Sequence, residues 1–129
     1  MVAIPNIVGV VRNNRNKQYV EDAKKLVSLA EYKVRSNPSI MDGHACIRLT
    51  INYLGEEEFD SSPSGKYDFN QSFVDVEIID SEYKYSVITK DDKSMGIKYT
   101  DSKELFNDDA FKTLIVSNPV SSFSCDVIS

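Results

Sequence analysis

The sequence predicts an α+β fold in which one long N-terminal helix packs on an antiparallel sheet of four or five strands. Apolar or aromatic side chains alternate strictly from Ala45 to Tyr53, which indicates a strand with one buried face. Between Gln18 and Ser36 the apolar residues recur three and four positions apart, a spacing typical of an amphipathic helix. Between residues 72 and 100, three shorter alternating segments are separated by polar turns, which favours a meander.

The first 17 residues are predicted to precede this helix. Residues 1–11 alternate weakly and contain Pro5 and Gly9, so we expect an edge strand or an extended arm. Residues 12–17 are basic and rich in asparagine, which favours a polar turn that caps the helix. The helix should end shortly before Pro38, because proline disfavours helical geometry in the residue that precedes it.

A long loop is predicted after the strand of residues 44–54. Residues 55–70 show no periodicity and are rich in turn-forming residues, so we expect them to be exposed. The aromatic residues of this loop are Phe59, Tyr67 and Phe69. They can pack on a partner or pin the loop to its own domain, and both interpretations stay open at this point.

The rest of the chain is predicted to complete the sheet. The expected strands are Ser72–Ile79, Tyr83–Thr89, Ser94–Thr100 and Lys112–Ser117. A short helix is expected over Lys103–Phe111, capped by Ser102, and the Ser-rich residues 118–129 form a tail. The buried sheet face should carry Ile47, Leu49, Ile51, Val74, Val76, Ile78, Tyr85, Val87, Ile97 and Tyr99. Because no repeat or domain boundary interrupts the chain, residues 1–129 are predicted to form a single domain.

Composition argues against several classes of protein. Hydrophobic residues make up 41% of the chain, which argues against intrinsic disorder, and no apolar run approaches the roughly 20 residues that span a bilayer. We therefore expect no membrane contact. The two cysteines are Cys46 and Cys125, and usage this sparse fits a reducing compartment such as the cytoplasm. We expect free thiols, because a disulfide would require the tail to return to the strand that carries Cys46.

No catalytic or cofactor-binding motif stands out in the sequence. His44 is the only histidine, which argues against a multi-histidine metal site and against a histidine general base. Residues 60–65 resemble the start of a calcium loop, but Gln71 stands where a bidentate glutamate is required. The sequence also lacks a Gly-rich phosphate loop, a Cys-x-x-Cys pair and a nucleophile elbow. We therefore expect no enzyme activity, cofactor, metal ion or small-molecule substrate.

Charge is distributed unevenly along the chain, whose net charge is −5. Residues 1–54 carry eight Lys or Arg and four Asp or Glu, whereas residues 55–129 carry seven and sixteen, so the two parts carry charges of +4 and −9. Such asymmetry favours contact between unlike surfaces of neighbouring copies, and solvated faces that merely differ are the alternative. A nucleic-acid surface is not expected, because no aromatic residues lie among the basic ones.

The candidate partner-contact residues come from the basic segment, an acidic run and the loop aromatics: Arg12, Arg15, Lys17, Glu56, Glu57, Glu58, Phe59, Tyr67 and Phe69. Our first hypothesis is a non-enzymatic structural subunit of a larger assembly, in a virion or a host cytoplasm, that contacts neighbours through arm, loop and tail. Small α+β virion proteins of tailed phages, such as connector and tail-terminator subunits, offer an analogy of architecture. The alternative hypothesis is a small acidic inhibitor that occupies a basic site on a host protein through the 55–70 loop.

Overall fold

A computed structural model of the chain confirms the α+β prediction. It describes the backbone of residues 4–55 and 59–128, and the side chains from residue 14 onwards within those ranges. The helices and strands are α1 (Ile4–Ser36), β1 (Cys46–Thr50), α2 (Ile51–Leu54), β2 (Phe73–Ile79), β3 (Glu82–Ile88), β4 (Met95–Ile97), β5 (Thr100–Asp101), α3 (Ala110–Thr113), β6 (Ile115–Ser117) and β7 (Asp126–Ile128). Short 3₁₀ helices cover Pro38–Met41 and Ser102–Phe106. No helix of the described ranges is both long and apolar enough to cross a bilayer.

Helix α1 begins at Ile4, so the predicted extended arm over residues 1–11 and the predicted turn over residues 12–17 are wrong from residue 4 onwards. Pro5 lies in the first turn, where its missing N–H costs no intrahelical hydrogen bond. The asparagines that follow have modest helix propensity. They are nevertheless accommodated, because extending a helix that is already packed costs far less than nucleating a new one.

The main sheet has the strand order β5-β3-β2-β1-β7. The pairings β1–β2, β2–β3 and β3–β5 are antiparallel, whereas β7 lies parallel to β1. The predicted strand 94–100 is in fact split, because β4 pairs with β6 in a separate two-stranded sheet and only β5 joins the main sheet. Gly96 permits this path, since a Cβ atom there would overlap the carbonyl oxygen of Thr89.

The core lies between α1 and one face of the main sheet. The helix contributes Tyr19, Val20, Ala23, Leu26, Val27, Ala30 and Val34, and the sheet contributes Ile47, Leu49, Val74, Val76 and Val87, all at most 5% exposed. β1 ends at Thr50, four residues before the predicted end of the strand at Leu54. Ile51 is nevertheless buried, at the start of the short helix α2. Ile78 is an exception to the predicted face, being 45% exposed near the end of β2.

The C-terminal tail returns to the sheet, contrary to the expectation of free thiols. Cys46 and Cys125 form a disulfide with their Cα atoms 5.1 Å apart, and β7 follows directly after Cys125. Parallel pairing of Asp126–Ile128 with residues 47–49 of β1 brings the two cysteines together. The spacing of the cysteines along the chain does not reveal this long-range pairing.

The segment predicted as a helix over Lys103–Phe111 is also interrupted. It consists of the second 3₁₀ helix and α3, with Asn107 to Asp109 between them. The cap is Asp101 rather than Ser102, because the Asp101 carboxylate accepts a hydrogen bond of 2.9 Å from the backbone N–H of Lys103. Residues that bond their own backbone, such as asparagine and aspartate, favour turns and caps over helix interiors.

Candidate interaction surfaces

A groove runs along one flank of α1, where the helix meets the 102–113 segment. We call it the lysine–phenylalanine groove, after Lys17 and Lys24 of α1 and Phe106 and Phe111 of the facing segment. Its volume is about 280 Å³. Three residues that are themselves at most 5% exposed also line it: Val20, Leu105 and Ala110. Phe106 is 70% exposed, so most of its ring is accessible to a partner.

Both lysines of the groove lie over aromatic rings. The Lys17 Nζ atom is 5.0 Å from the centre of the Phe111 ring, and the Lys24 Nζ atom is 5.3 Å from that of Phe106. Each cation–π contact at such exposed sites is worth roughly 0.5–1 kcal/mol. The groove therefore combines two lysine cations with accessible apolar surface. Its lining also carries Asp108 and Glu21, which lies 3.5 Å from the Lys24 ammonium group, so only a segment with several carboxylates and some apolar surface suits it.

The opposite flank of α1 anchors the 55–70 loop. The Tyr67 hydroxyl donates a hydrogen bond of 2.6 Å to the Asp22 carboxylate, and the Tyr67 ring packs edge-on against Tyr19 and Phe59. The Tyr19 hydroxyl in turn donates to the carboxylate of Asp91, which also accepts from the Ser62 hydroxyl. The loop is therefore fixed to the helix at its middle and its end.

The ionisation of Asp91 is set by its surroundings, because this carboxyl is only 2% exposed. Burial on its own raises the pKa of Asp91, but hydrogen bonds from Tyr19, Ser62 and the backbone N–H groups of Met95 and Lys93 outweigh it and lower the pKa below its ordinary value. A buried carboxylate satisfied by several donors stays ionised near neutral pH. Asp91 is thus a structural anion that holds the loop.

The two tyrosines of this cluster are held in their neutral form. Burial, reinforced by the hydrogen bond to Asp91, raises the pKa of Tyr19 to about 12. Burial is also the main cause that raises the pKa of Tyr67, followed by its hydrogen bond to Asp22. Neutral phenols that donate to carboxylates tie helix and loop together and offer no base or nucleophile near neutral pH.

The three basic residues of the predicted contact set do not form one patch. An α-helix turns about 100° per residue, so positions 12 and 15 lie about 60° apart around the axis, and positions 15 and 17 about 160° apart. Arg15 and Lys17 are both exposed, and Lys17 is the one that lines the groove. For Arg12 the structure describes the helical backbone alone.

The aromatic residues of the predicted contact set lie in the protein's own core. Phe59 and Tyr67 are 2% and 5% exposed, and Phe69 is half-buried against the core cluster. Of the two interpretations left open by the sequence, the structure supports the one in which these residues pin the loop to its own domain. The acidic run, Glu56, Glu57 and Glu58, lies outside the described residues.

The tail covers the polar face of the sheet. Arg48 donates two hydrogen bonds to the carboxylate of Asp75, of 2.8 and 3.0 Å, and a third of 2.8 Å to the carbonyl of Phe123 in the tail. Tyr99 donates to the same carboxylate at 2.7 Å and stacks on the Phe123 ring. Tyr99 was predicted to lie on the helix-facing side, but it packs on the opposite face of the sheet.

No group of three or more potential metal-ligating side chains occurs within residues 14–55 and 59–128. His44, the residue with the most chemical potential in the sequence, lies 2.7 Å from the carboxylate of Asp126 and helps to hold the start of β7. His44 therefore contributes to the docking of the tail.

Sequence reasoning missed Phe106 and Phe111 as members of a surface and left Lys24 out of the predicted contact set. The available signal was the interruption at Asn107 to Asp109, which divides the predicted helix and keeps the two phenylalanines from sharing a buried stripe. The groove itself depends on the docking of that segment against α1, which local periodicity does not encode.

No protein-family model, curated protein or solved structure matches this chain.

Proposed function

We propose that this chain is a non-enzymatic structural subunit of a larger protein assembly, and that the lysine–phenylalanine groove of one copy receives the acidic run of the next. The single observation that supports this function is a groove on one flank of α1 in which two lysines lie over aromatic rings, opposite the flank that anchors the 55–70 loop. Virion subunits of the connector or tail type are the form of assembly that we propose. In this account the acidic run replaces the extended arm and the tail as the contact element.

The helix geometry gives the direction of the contact. Val20 lines the groove, whereas Asp22, two residues later, anchors the loop that carries the acidic run. Two residues on an α-helix are separated by about 200° around the axis, so the groove and the anchor of the loop face opposite ways at the same level of the helix. A contact between unlike patches is heterologous, and it generates a ring when the rotation closes and a filament when it does not.

The chemistry of the two patches is complementary. In this contact three consecutive glutamates meet two lysines, whose ammonium groups lie over the exposed ring of Phe106 and the half-buried ring of Phe111. In sequence, the acidic run stands between Leu54 and Phe59, which are both at most 5% exposed and anchor its ends. Exposed ion pairs contribute only about 0.2–1 kcal/mol each, so the contact needs several of them and must weaken with salt.

The test is the solution mass of the protein at low and high salt, measured by light scattering. We expect an oligomer at low salt whose mass falls at high salt, and we expect Lys17→Glu/Lys24→Glu to show the lower mass at low salt as well. The matched control is Lys33→Glu/Arg35→Glu, which makes the same charge change on the same helix outside the groove and should keep the wild-type mass at low salt. A wild-type mass that does not change with salt would contradict the proposal.

An acidic inhibitor is the second candidate function. The buried anchors Leu54 and Phe59 favour it, because they fix both ends of a short acidic segment that a basic site on another protein can bind. In that case the wild-type chain is a monomer, and binding to a basic protein is lost on Glu56→Lys/Glu57→Lys/Glu58→Lys but unaffected by Lys17→Glu/Lys24→Glu. The subunit hypothesis predicts that both variants lose the same contact.

The disulfide bears on where such a subunit works. Disulfides persist in oxidising surroundings, which include the surfaces of virions, and are rare in the cytosol. We therefore favour the virion over the host cytoplasm as the location of the folded, oxidised chain.

A further inference from the structure

We propose that the outer edge of β3 pairs with the same edge of a second copy, so that the main sheet continues across a two-fold axis. The contact between the lysine–phenylalanine groove of one copy and the acidic run of the next, proposed above, is called the lateral contact. The edge contact is separate from the lateral contact and does not depend on it. It gives the chain a second interface, which is isologous rather than heterologous.

The edge in question is the first half of β3. On its outer side, β5 pairs with Ser86 and Val87 alone, so within the described residues no strand lies beside Glu82–Tyr85. A cleft of about 240 Å³ borders this stretch and is bounded on its far side by Asp101 and Lys103. Unpaired backbone N–H and C=O groups along such an edge are a template for pairing with another strand.

Exposed apolar side chains surround this edge on both faces of the sheet. Ile78 and Tyr83 are directly opposite each other in the β2–β3 pairing and lie on the face that also carries the core, and both are 45% exposed. Ile79 is 44% exposed and pairs with Glu82 on the other face. A second sheet placed against the edge would cover part of these side chains.

The order of charges along the edge is self-complementary in one register. When two β3 edges run antiparallel and are centred on Tyr83, Glu82 of each copy lies opposite Lys84 of the other, and the two Tyr83 side chains face each other. Centring the pair on Glu82 or on Lys84 would instead oppose like charges. Opposite-charge and aromatic pairs directly across a ladder are the favourable ones, so this register is selected over its neighbours.

The edge is far enough from the lysine–phenylalanine groove for the two contacts to be tested separately. Tyr85, at the end of the free stretch, lies within the electrostatic reach of Glu31 and Arg35 near the C-terminal end of α1. The groove is lined by Lys17 and Lys24 of the same helix, between about 10 and 27 Å further along the axis at 1.5 Å per residue.

The experiment measures dimerisation in the Lys17→Glu/Lys24→Glu background, in which the lateral contact is removed, by sedimentation at several protein concentrations. We expect a dimer in this background. Glu82→Lys alone and Lys84→Glu alone should each raise the dimer dissociation constant at least tenfold, because like charges then face each other. The double reversal Glu82→Lys/Lys84→Glu should return the dimer dissociation constant to within about threefold of its value without these substitutions. Asp60→Lys makes the same charge change at an exposed position of the 55–70 loop, which bonds the chain at Lys90 and Asp92 beyond the other end of β3, and this control should change nothing.

Amide hydrogen exchange gives a second, direct readout. Within residues 82–85, the alternate amides that point away from β2 should exchange more slowly as protein concentration rises, while the amides of residues 86–88 should not respond. A monomer in the groove-variant background overturns the proposal, as does a dimer that is indifferent to the two single reversals. A dimer here together with failure of the salt-dependent oligomer would remove the lateral contact and leave the edge contact standing.

Discussion

Arg48 and Asp75 form an ion pair across neighbouring strands, in which the guanidinium binds both oxygens of a carboxylate that is fully buried. The pair is cross-strand in the β1–β2 register, and the Arg48 guanidinium also lies 3.8 Å from the centre of the Phe73 ring. The hydrogen bond to Asp75 is the largest effect on Arg48 and raises the pKa of its guanidinium further above its ordinary value. Tail docking therefore rests on a charged site that Phe123 and Tyr99 cover.

Removing the arginine should be costly. In Arg48→Met the Asp75 carboxylate keeps its burial but loses its counter-charge, so we expect the free energy of unfolding to fall by about 3–5 kcal/mol, measured by urea denaturation. Arg35→Met is the control, because the exposed Arg35–Glu31 pair should contribute less than about 1 kcal/mol. A loss of unfolding free energy below about 1 kcal/mol for Arg48→Met would show that the Arg48–Asp75 pair is not a main stabilising contact on this face of the sheet.

The disulfide should account for much of the stability of the tail. Cys46 and Cys125 are 79 residues apart, and in the chain-entropy model a crosslink over that distance stabilises the fold by up to about 4.5 kcal/mol. We expect Cys46→Ser/Cys125→Ser to lower the free energy of unfolding by a comparable amount. Amides of Asp126–Ile128 should exchange much faster in this variant, with β2 and β3 little changed. Unchanged protection of β7 would mean that pairing alone holds the tail.

Asp91 should make the fold sensitive to acid. Its pKa is lower in the folded chain than the value of 3.8 expected when unfolded, so its contribution is present above that pH and is lost as the pH falls through the folded pKa. At pH 7 we expect Asp91→Asn to cost about 1–3 kcal/mol of unfolding free energy. The difference from wild type should narrow below pH 4, whereas exposed Asp108→Asn should show no such trend.

Tyr19 should make the fold sensitive to alkali. Its pKa is raised from 10.0 to about 12, so the neutral phenol stabilises the fold fully below pH 10 and that contribution is lost as the pH rises through 12. In Tyr19→Phe, the tyrosinate absorbance should lose one group that titrates near pH 12. The free energy of unfolding of Tyr19→Phe should also fall less steeply between pH 10 and 12 than that of the wild type. Loss of a group that titrates near pH 10 instead would place Tyr19 outside the buried cluster.

Local periodicity is sufficient to predict the parts of the fold in which one face of an element decides burial. The packed part of α1, from Tyr19 to Val34, follows a helical spacing, and the buried residues of β1 and β2 follow a strict alternation. Each of these patterns determines which face of the helix or strand is buried, because a shift by one residue would expose the whole set of apolar side chains. The α+β prediction rests on them.

Long-range pairing explains what the sequence does not predict. Nothing near residues 94–100 indicates that Gly96 lets the chain cross close to Thr89, or that β4 pairs with β6 instead of extending the main sheet. The return of β7 to β1, and with it the disulfide, involves residues about 80 positions apart. The groove likewise forms between α1 and a segment about 90 residues later, so only its individual side chains were visible in the sequence.

The measurement that tests the central claim most directly is a mixing experiment between two variants with opposite charge reversals. Lys17→Glu/Lys24→Glu makes the groove acidic, and Glu56→Lys/Glu57→Lys/Glu58→Lys makes the run basic. If the groove of one copy binds the acidic run of the next, each variant should be free of the salt-sensitive oligomer, and an equimolar mixture at low salt should recover it with the two variants alternating. A mixture that sediments as the two separate components would contradict the account.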